Sequence, residues 1–242
     1  EDAEVIETEL MLADLESIEK RRAGLVRKLK GNDKEALLQD RLLAEAQAML
    51  EEGKPARMVE VSDEDARAWK NLQLLTTKPI LFVCNVDEAS ASTGNDHSAA
   101  VQAMADAQGA ASVVISAQIE EEISQLEADV AVMFLDVMGL DVACLDRLIR
   151  AGYDLLHLQT YFTAGPKEDR AWTIRQGTLA PQAAGVIHGD FEKGFIRAET
   201  IGYDDYVALG GEQAAKEAGK MRAEGKTYLV KDGDVLHFLF NT

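Results

Sequence analysis

ILFVCNVDEAS, residues 80–90, changes character in its middle. Pro79 opens an apolar run that continues to Cys84, which reads as a short, fully buried strand. The run stops at Asn85-Val86-Asp87-Glu88. A helix is expected over about Asp96–Gln108, then a second apolar strand, Ser112–Ile115, closing on Ser116-Ala117. A further acidic helix begins near Ile119. Strand, loop, helix, strand, helix is the rhythm of a parallel sheet. In such sheets ligands bind in the loops beyond the carboxyl ends of the strands. Both polar loops stand at such ends.

Ser116 lies 31 positions after Asn85. In P-loop GTPases one buried strand ends in Asn/Thr-Lys-x-Asp, and a second ends about thirty residues later in Ser-Ala. The Asn bonds the base and braces neighbouring loops, and the Asp accepts from guanine's N1–H and exocyclic amine. The spacing here therefore fits a base-reading site. The residues fit guanine poorly. Val86 stands where a Lys lies across the base, and Glu88 stands in the Asp position. Its extra methylene moves the carboxylate out of register with guanine's two donors, and a mismatched polar edge discriminates strongly. Adenine lacks those donors, so ATP is favoured over GTP. The competing reading is a solvated strand-to-helix loop, where Asn, Asp and Glu are common.

A phosphate cradle of the Gly-x-x-x-x-Gly-Lys-Ser/Thr kind is not found. AAKEAGKM, residues 214–221, lacks the first Gly and the metal-binding hydroxyl, and follows no buried strand. Asp136-Val-Met-Gly139 spells Asp-x-x-Gly inside a helical pattern, on the wrong side of the base loop. His97, His157, His188 and His237 are scattered without metal-ligand spacing. His188, in a Gly-flanked turn, is placed to touch a partner, but a surface histidine with no task is the preferred reading. Cys84 and Cys144, the two cysteines, read as free buried thiols of a reducing compartment.

Upstream, residues 3–30 read as one helix with Ile6, Leu10, Leu15, Ile18, Leu25 and Leu29 as its apolar stripe. After the turn Gly31-Asn32-Asp33, a second helix runs to about Glu52 on Leu38, Leu42, Ala46 and Met49. The pair makes an antiparallel hairpin, either scaffold or an exposed arm for a partner. Ser62-Asp63-Glu64-Asp65 resembles a capping box for a short helix to about Leu75. Downstream of Leu155, strands are expected at 155–160, 170–174, 195–201, 228–231 and 235–240, with a helix over 181–188 and a hairpin turn at Asp232-Gly233. The net charge is −18, with 31 Asp/Glu against 15 Lys/Arg in residues 1–154 and 12 against 10 in the remainder. A broad nucleic-acid footprint is thus excluded from the first part, and a local basic face is open only to the second. No apolar run reaches the ~18 residues of a membrane span.

The chain resembles the YchF group of Obg-related P-loop NTPases, the Obg-like ATPases. VIETELMLADLESIEKR at the front, NVDE, and above all LQTYFTAGPKEDRAWTIRQGTLAPQAAGVIHGDFEKGFIRAET and GEQAAKEAGKMRAEGKTYLVKDGDVLHFLFN carry the likeness. The resemblance implies an α/β chain: a helical insertion at 1–75, the C-terminal half of a P-loop NTPase sheet at 76–154, and a ubiquitin-like β-grasp TGS domain at 155–242. It implies ATP hydrolysis, with GTP used less well, with Mg²⁺. It also implies a cytoplasmic monomer that binds the large ribosomal subunit, and RNA, through the TGS domain and helical arm. Asn85, Val86 and Glu88 are expected at the base, Val86 through its backbone, with Ser116 and Ala117 beside it. The phosphate half is expected before Glu1, in on the order of a hundred residues, so this chain alone is expected not to hydrolyse ATP. Lys193, Arg197, Lys216, Lys220, Arg222 and Lys226 are the candidate RNA contacts. The rival function is an RNA- or ribosome-binding adaptor with a degenerate nucleotide site.

Overall fold

Asp33 decides where the N-terminal hairpin turns. Its carboxylate accepts from the Ala36 N–H at 2.8 Å, satisfying a donor that the first turn of the next helix leaves open. The two helices it separates are α1 (Asp2–Lys30) and α2 (Lys34–Glu51). The computed structural model describes residues 2–165 and 168–241, so Pro166-Lys167 in the quoted C-terminal run lies outside the described residues. The chain divides into two compact units, Glu1–Gly152 and Tyr153–Thr242.

In the first unit, α1 and α2 close on Ile18, Leu25, Leu42, Leu43, Ala46 and Leu50, together with Leu72 of α3 (Ala66–Leu72) and Leu74. The expected stripe of α1 is corrected at its front: Ile6 is 58% exposed, and Glu7 and Asp14 are buried instead. Both have partners that repay their desolvation. Asp14 accepts from the Leu75 N–H, the Thr76 N–H and the Thr76 hydroxyl at 2.8, 2.8 and 2.6 Å. Glu7 meets Arg57 at 2.5 Å and Gln108 at 2.7 Å. The expected capping box is corrected: Ser62 accepts from the Asp65 N–H at 3.3 Å in a turn ahead of the helix, which begins at Ala66 and stops at Leu72, earlier than expected, because Gln73 takes a left-handed conformation at φ 51°.

Two parallel strands follow, β1 (Leu81–Asn85) and β2 (Ala111–Ile115), joined through α4 (Asp96–Ala107). Asn85 lies beside Ile115, so both strands end level. β1 is not fully buried, since Val83 is 45% exposed. α5 (Ala117–Ile123), α6 (Ala128–Val137) and α7 (Cys144–Leu155) complete this part. Ala91, Ile119 and Leu140 form a small core there, flanked by Phe134 and Met138.

The second unit carries β3 (Leu158–Thr163), β4 (Arg170–Arg175), α8 (Ala180–Ile187), α9 (Gly189–Lys193), β5 (Phe195–Gly202), α10 (Tyr203–Leu209), α11 (Glu212–Glu217), β6 (Arg222–Glu224) and β7 (Asp234–Phe240). Its mixed sheet has the order β4-β3-β7-β5-β6. β7 pairs parallel with β3 and antiparallel with β5. Ala180, Ala183 and Ala184 of α8 pack on Tyr161, Ile174, Phe195, Ala198, Leu236 and Phe238. The first strand begins three residues later than expected, because α7 keeps Leu155 and His157 turns with φ 52°.

The expected strand at 228–231 is corrected too. It makes one isolated bridge, Leu179 to Leu229, and Asp232-Gly233 therefore turns no β-hairpin. Side chains organise this turn instead: Asp234 accepts from the Lys231 N–H at 2.9 Å and the Tyr228 hydroxyl at 2.8 Å, and Asp232 accepts from the Thr160 N–H at 2.7 Å. Burial and the hydrogen bond to Asp234 push the Tyr228 hydroxyl up to about 12. Burial also raises that of Tyr161. The fold favours both phenols neutral, so their stabilisation is whole below pH 10 and is lost as the pH climbs toward 12. The resistance of the second unit to urea is expected to fall over that window, and Tyr228→Phe to flatten part of the decline. An equal decline in the variant would show that Tyr228 has no part in it.

Candidate functional site

The level ends of β1 and β2 bring the two polar loops together. Asn85 Oδ1 accepts from the Ala117 N–H at 3.0 Å, a direct strap from the first loop to the second. The Val86 N–H donates to the Ile115 carbonyl at 2.9 Å, extending the ladder by one rung. Asp87 turns its carboxylate back to the Ser90 N–H at 2.9 Å, capping a single 3-10 turn over Glu88–Ser90. One oxygen of Asp87 is thereby engaged locally, while Glu88, half-buried, opens the 3-10 turn.

On the second loop, Ser116 is fully buried and Ala117 is exposed. The Ser116 hydroxyl has no hydrogen-bond partner among the described residues. Its N–H donates to Cys144 Sγ at 3.4 Å. All five expected site residues thus belong to the paired loop ends. Asn85 and Val86 also line a cleft of about 670 Å³ along β1, with Phe82, Asn95, His97 and Met104; Glu88, Ser116 and Ala117 do not.

The floor of that cleft depends on a tight entry to α4. Asn95 and Ser98 cap each other's backbone at 3.0 and 2.8 Å. Gly94 precedes them at φ +75°, and a Cβ there would lie 2.5 Å from Ser98 Oγ. Cys84, half-buried in β1, has its thiol pushed up by desolvation, the opposite of what a nucleophile needs. Among the described residues no group of three or more His, Cys, Asp or Glu is placed to hold a metal ion. The Mg²⁺ implied by the resemblance therefore finds no ligand set among them.

Cys144 is the buried free thiol expected from the sequence, but its contacts and those of Arg147 are not among the expected site features. Arg147 Nη2 donates to the Ala91 carbonyl at 3.3 Å and to Cys144 Sγ at 3.2 Å. Their spacing of three on a helix was visible, but the partners they reach are 56 and 28 residues away and leave no local trace. Of the six candidate RNA contacts, three are held by carboxylates: Arg197 by Glu199 at 3.0 Å, Lys220 by Asp205 at 3.0 Å, and Arg222 by Glu224 at 3.2 Å. No ion pair is found for Lys193, Lys216 or Lys226 among the described residues. Among those same residues, no helix is long and apolar enough to cross a membrane.

One parallel and one mixed sheet, with helices between, define a mixed α/β protein of the kind found in YchF and Obg-like GTPases. The YchF GTPase of Schizosaccharomyces pombe superposes with a TM-score of 0.82 at 32% identity, over 98% of this chain and 65% of that one. A family model, YchF-GTPase_C, described as a protein of unknown function (DUF933), matches residues 158–241. The Ribosome-binding ATPase YchF of Bacillus subtilis is 49% identical over the whole of this chain, and that of Escherichia coli O157:H7 is 48% identical. The chain belongs to the YchF family. It spans 66% of the length of those two relatives.

Proposed function

We propose that this chain carries the base-reading loops and the partner-binding parts of a ribosome-associated ATPase that prefers ATP to GTP. The observation that carries the reading is the Asn85–Ala117 strap, which joins two loops at the carboxyl ends of parallel strands. Asn85 spends its carbonyl oxygen on that strap and keeps its NH₂ to donate to a ring nitrogen. Val86 spends its N–H on Ile115, so its carbonyl is the backbone atom suited to adenine's amine. Glu88 takes the place from which a shorter carboxylate would grip guanine. The relatives named ribosome-binding ATPases support the ATPase and ribosome parts of the proposal.

On this reading residues 1–75 are a helical insertion, 76–154 the second half of a P-loop domain, and 155–242 a TGS domain of β-grasp type. The phosphate-binding half and the Mg²⁺ ligands belong to sequence outside these 242 residues, and Mg²⁺ would neutralise charge on the phosphates there. The 242-residue chain by itself is then inactive, and appreciable ATP hydrolysis by the pure chain contradicts this. The intact protein acts as a cytoplasmic monomer on the large ribosomal subunit, with Lys193, Lys216 and Lys226 the cations to test first for RNA.

The deciding experiment is a titration of the intact gene product with ATP and GTP in the presence of Mg²⁺. Micromolar ATP binding with weaker GTP binding is expected. Failure of a well-folded protein to bind either nucleotide would leave the adaptor reading in its place.

A further inference from the structure

We propose that Cys144 and Arg147, in the first turn of α7, are positioning residues that hold both base loops in register. The proposal rests on the reading of those loops as a base site. Ser116 makes no hydrogen bond through its hydroxyl among the described residues, so its backbone fixes it: its carbonyl accepts from the Glu120 N–H at 3.1 Å within α5, and its N–H is the group that ties it to another element. That N–H ends on the sulfur of Cys144, which is 1% exposed and shielded from water. The sulfur is a weak acceptor by itself. Here the Arg147 guanidinium donates to it as well, at 3.2 Å, which fixes the orientation of the thiol.

The same Nη2 reaches the Ala91 carbonyl at 3.3 Å. Ala91 closes the turn that begins at Glu88, its N–H donating to the Glu88 carbonyl at 3.2 Å. One helix turn therefore touches both loops, the Ser116-Ala117 loop through sulfur and the Glu88–Ala91 turn through a carbonyl. A further tie, from the Leu145 N–H to Glu120 Oε2 at 3.2 Å, joins α7 to the helix that follows Ala117. With the Asn85–Ala117 strap, these contacts close a ring around the base-facing atoms. Neither Cys144 nor Arg147 faces the cleft beside β1. Their effect on a nucleotide is exerted through the loops alone, and falls on the base and not on the phosphates.

The test compares Cys144→Ala, Cys144→Ser, Arg147→Ala and Arg147→Lys with Asn85→Ala, all in the intact gene product. Affinities are measured for ATP and for inorganic triphosphate, with thermal melts to check folding. Loss of one bracing hydrogen bond is expected to weaken ATP about three- to tenfold in the two alanine variants. Triphosphate binding stays unchanged, and the serine and lysine variants, which keep an acceptor and a cation, recover part of the loss. Equal losses for ATP and triphosphate overturn the proposal, since a general packing defect would do that. Normal ATP binding in both alanine variants, with Asn85→Ala impaired, overturns it while sparing the base site. Normal binding in Asn85→Ala as well refutes the base reading and the proposal together.

Discussion

Asp14→Ala is expected to destabilise the first unit by on the order of 3–5 kcal/mol, because it orphans three donors at once. The carboxylate is 2% exposed and accepts from the Leu75 N–H, the Thr76 N–H and the Thr76 hydroxyl. The Thr76 oxygen in turn accepts from the Ala56 N–H at 3.2 Å, so the relay reaches a third segment. Thr76 is 2% exposed, so its two donors have no water to fall back on, which is why the loss exceeds that of one ordinary hydrogen bond. Asp14→Asn retains one acceptor oxygen but sets an NH₂ against the remaining donors, and is expected to recover only part. Urea unfolding read by Trp69 in a Trp172→Phe background isolates the first unit. A shift in stability below about 1 kcal/mol would show that the buried carboxylate is not what roots α1.

Glu88→Asp is expected to raise GTP affinity in the intact protein by about 10–100-fold while leaving ATP binding within a few-fold. Shortening the side chain by one methylene brings its two oxygens into line with guanine's two donors. A good bidentate pair of that kind is worth about 1–3 kcal/mol of discrimination. Asp87, one residue earlier, cannot substitute, since its carboxylate is held by the Ser90 N–H. Competition between ATP and GTP for one fluorescent nucleotide reads the ratio directly. An unchanged ratio removes Glu88 from base selection and sends the search for selectivity to the backbone of Val86.

Much of this arrangement was legible in the residues themselves. Asn85 and Ser116 each close an apolar run, and a parallel pair must bring such closures side by side. The hairpin could be read from its stripe and the Gly31-Asn32-Asp33 turn. Ile6 misled because apolar spacing takes no account of buried acids, and Glu7 and Asp14 displace it only by virtue of partners 50 and 61 residues away. Residues 228–231 have strand composition, yet Asp234 captures the Lys231 N–H, and Val230 bonds Thr178. Such a competition between side chain and ladder is settled by tertiary contacts. The Cys144–Arg147 brace was illegible for the same reason. The family resemblance rested on long matching runs and carried the reading beyond what spacing alone supports.

The order of strands in the second unit has a consequence in time. β7 bridges β3 and β5, yet it follows both of them in the chain. Asp232, two residues ahead of β7, reaches back 72 residues to accept from the Thr160 N–H. During synthesis the earlier strands pair as two ribbons, β3 with β4 and β5 with β6, which share the packing of α8 but no backbone ladder until β7 arrives. Contacts so distant in sequence are slow to close. Until Asp234–Phe240 emerges, the unit has no middle, and the unfinished ribbons present the surface that a chaperone or another nascent chain would seize first.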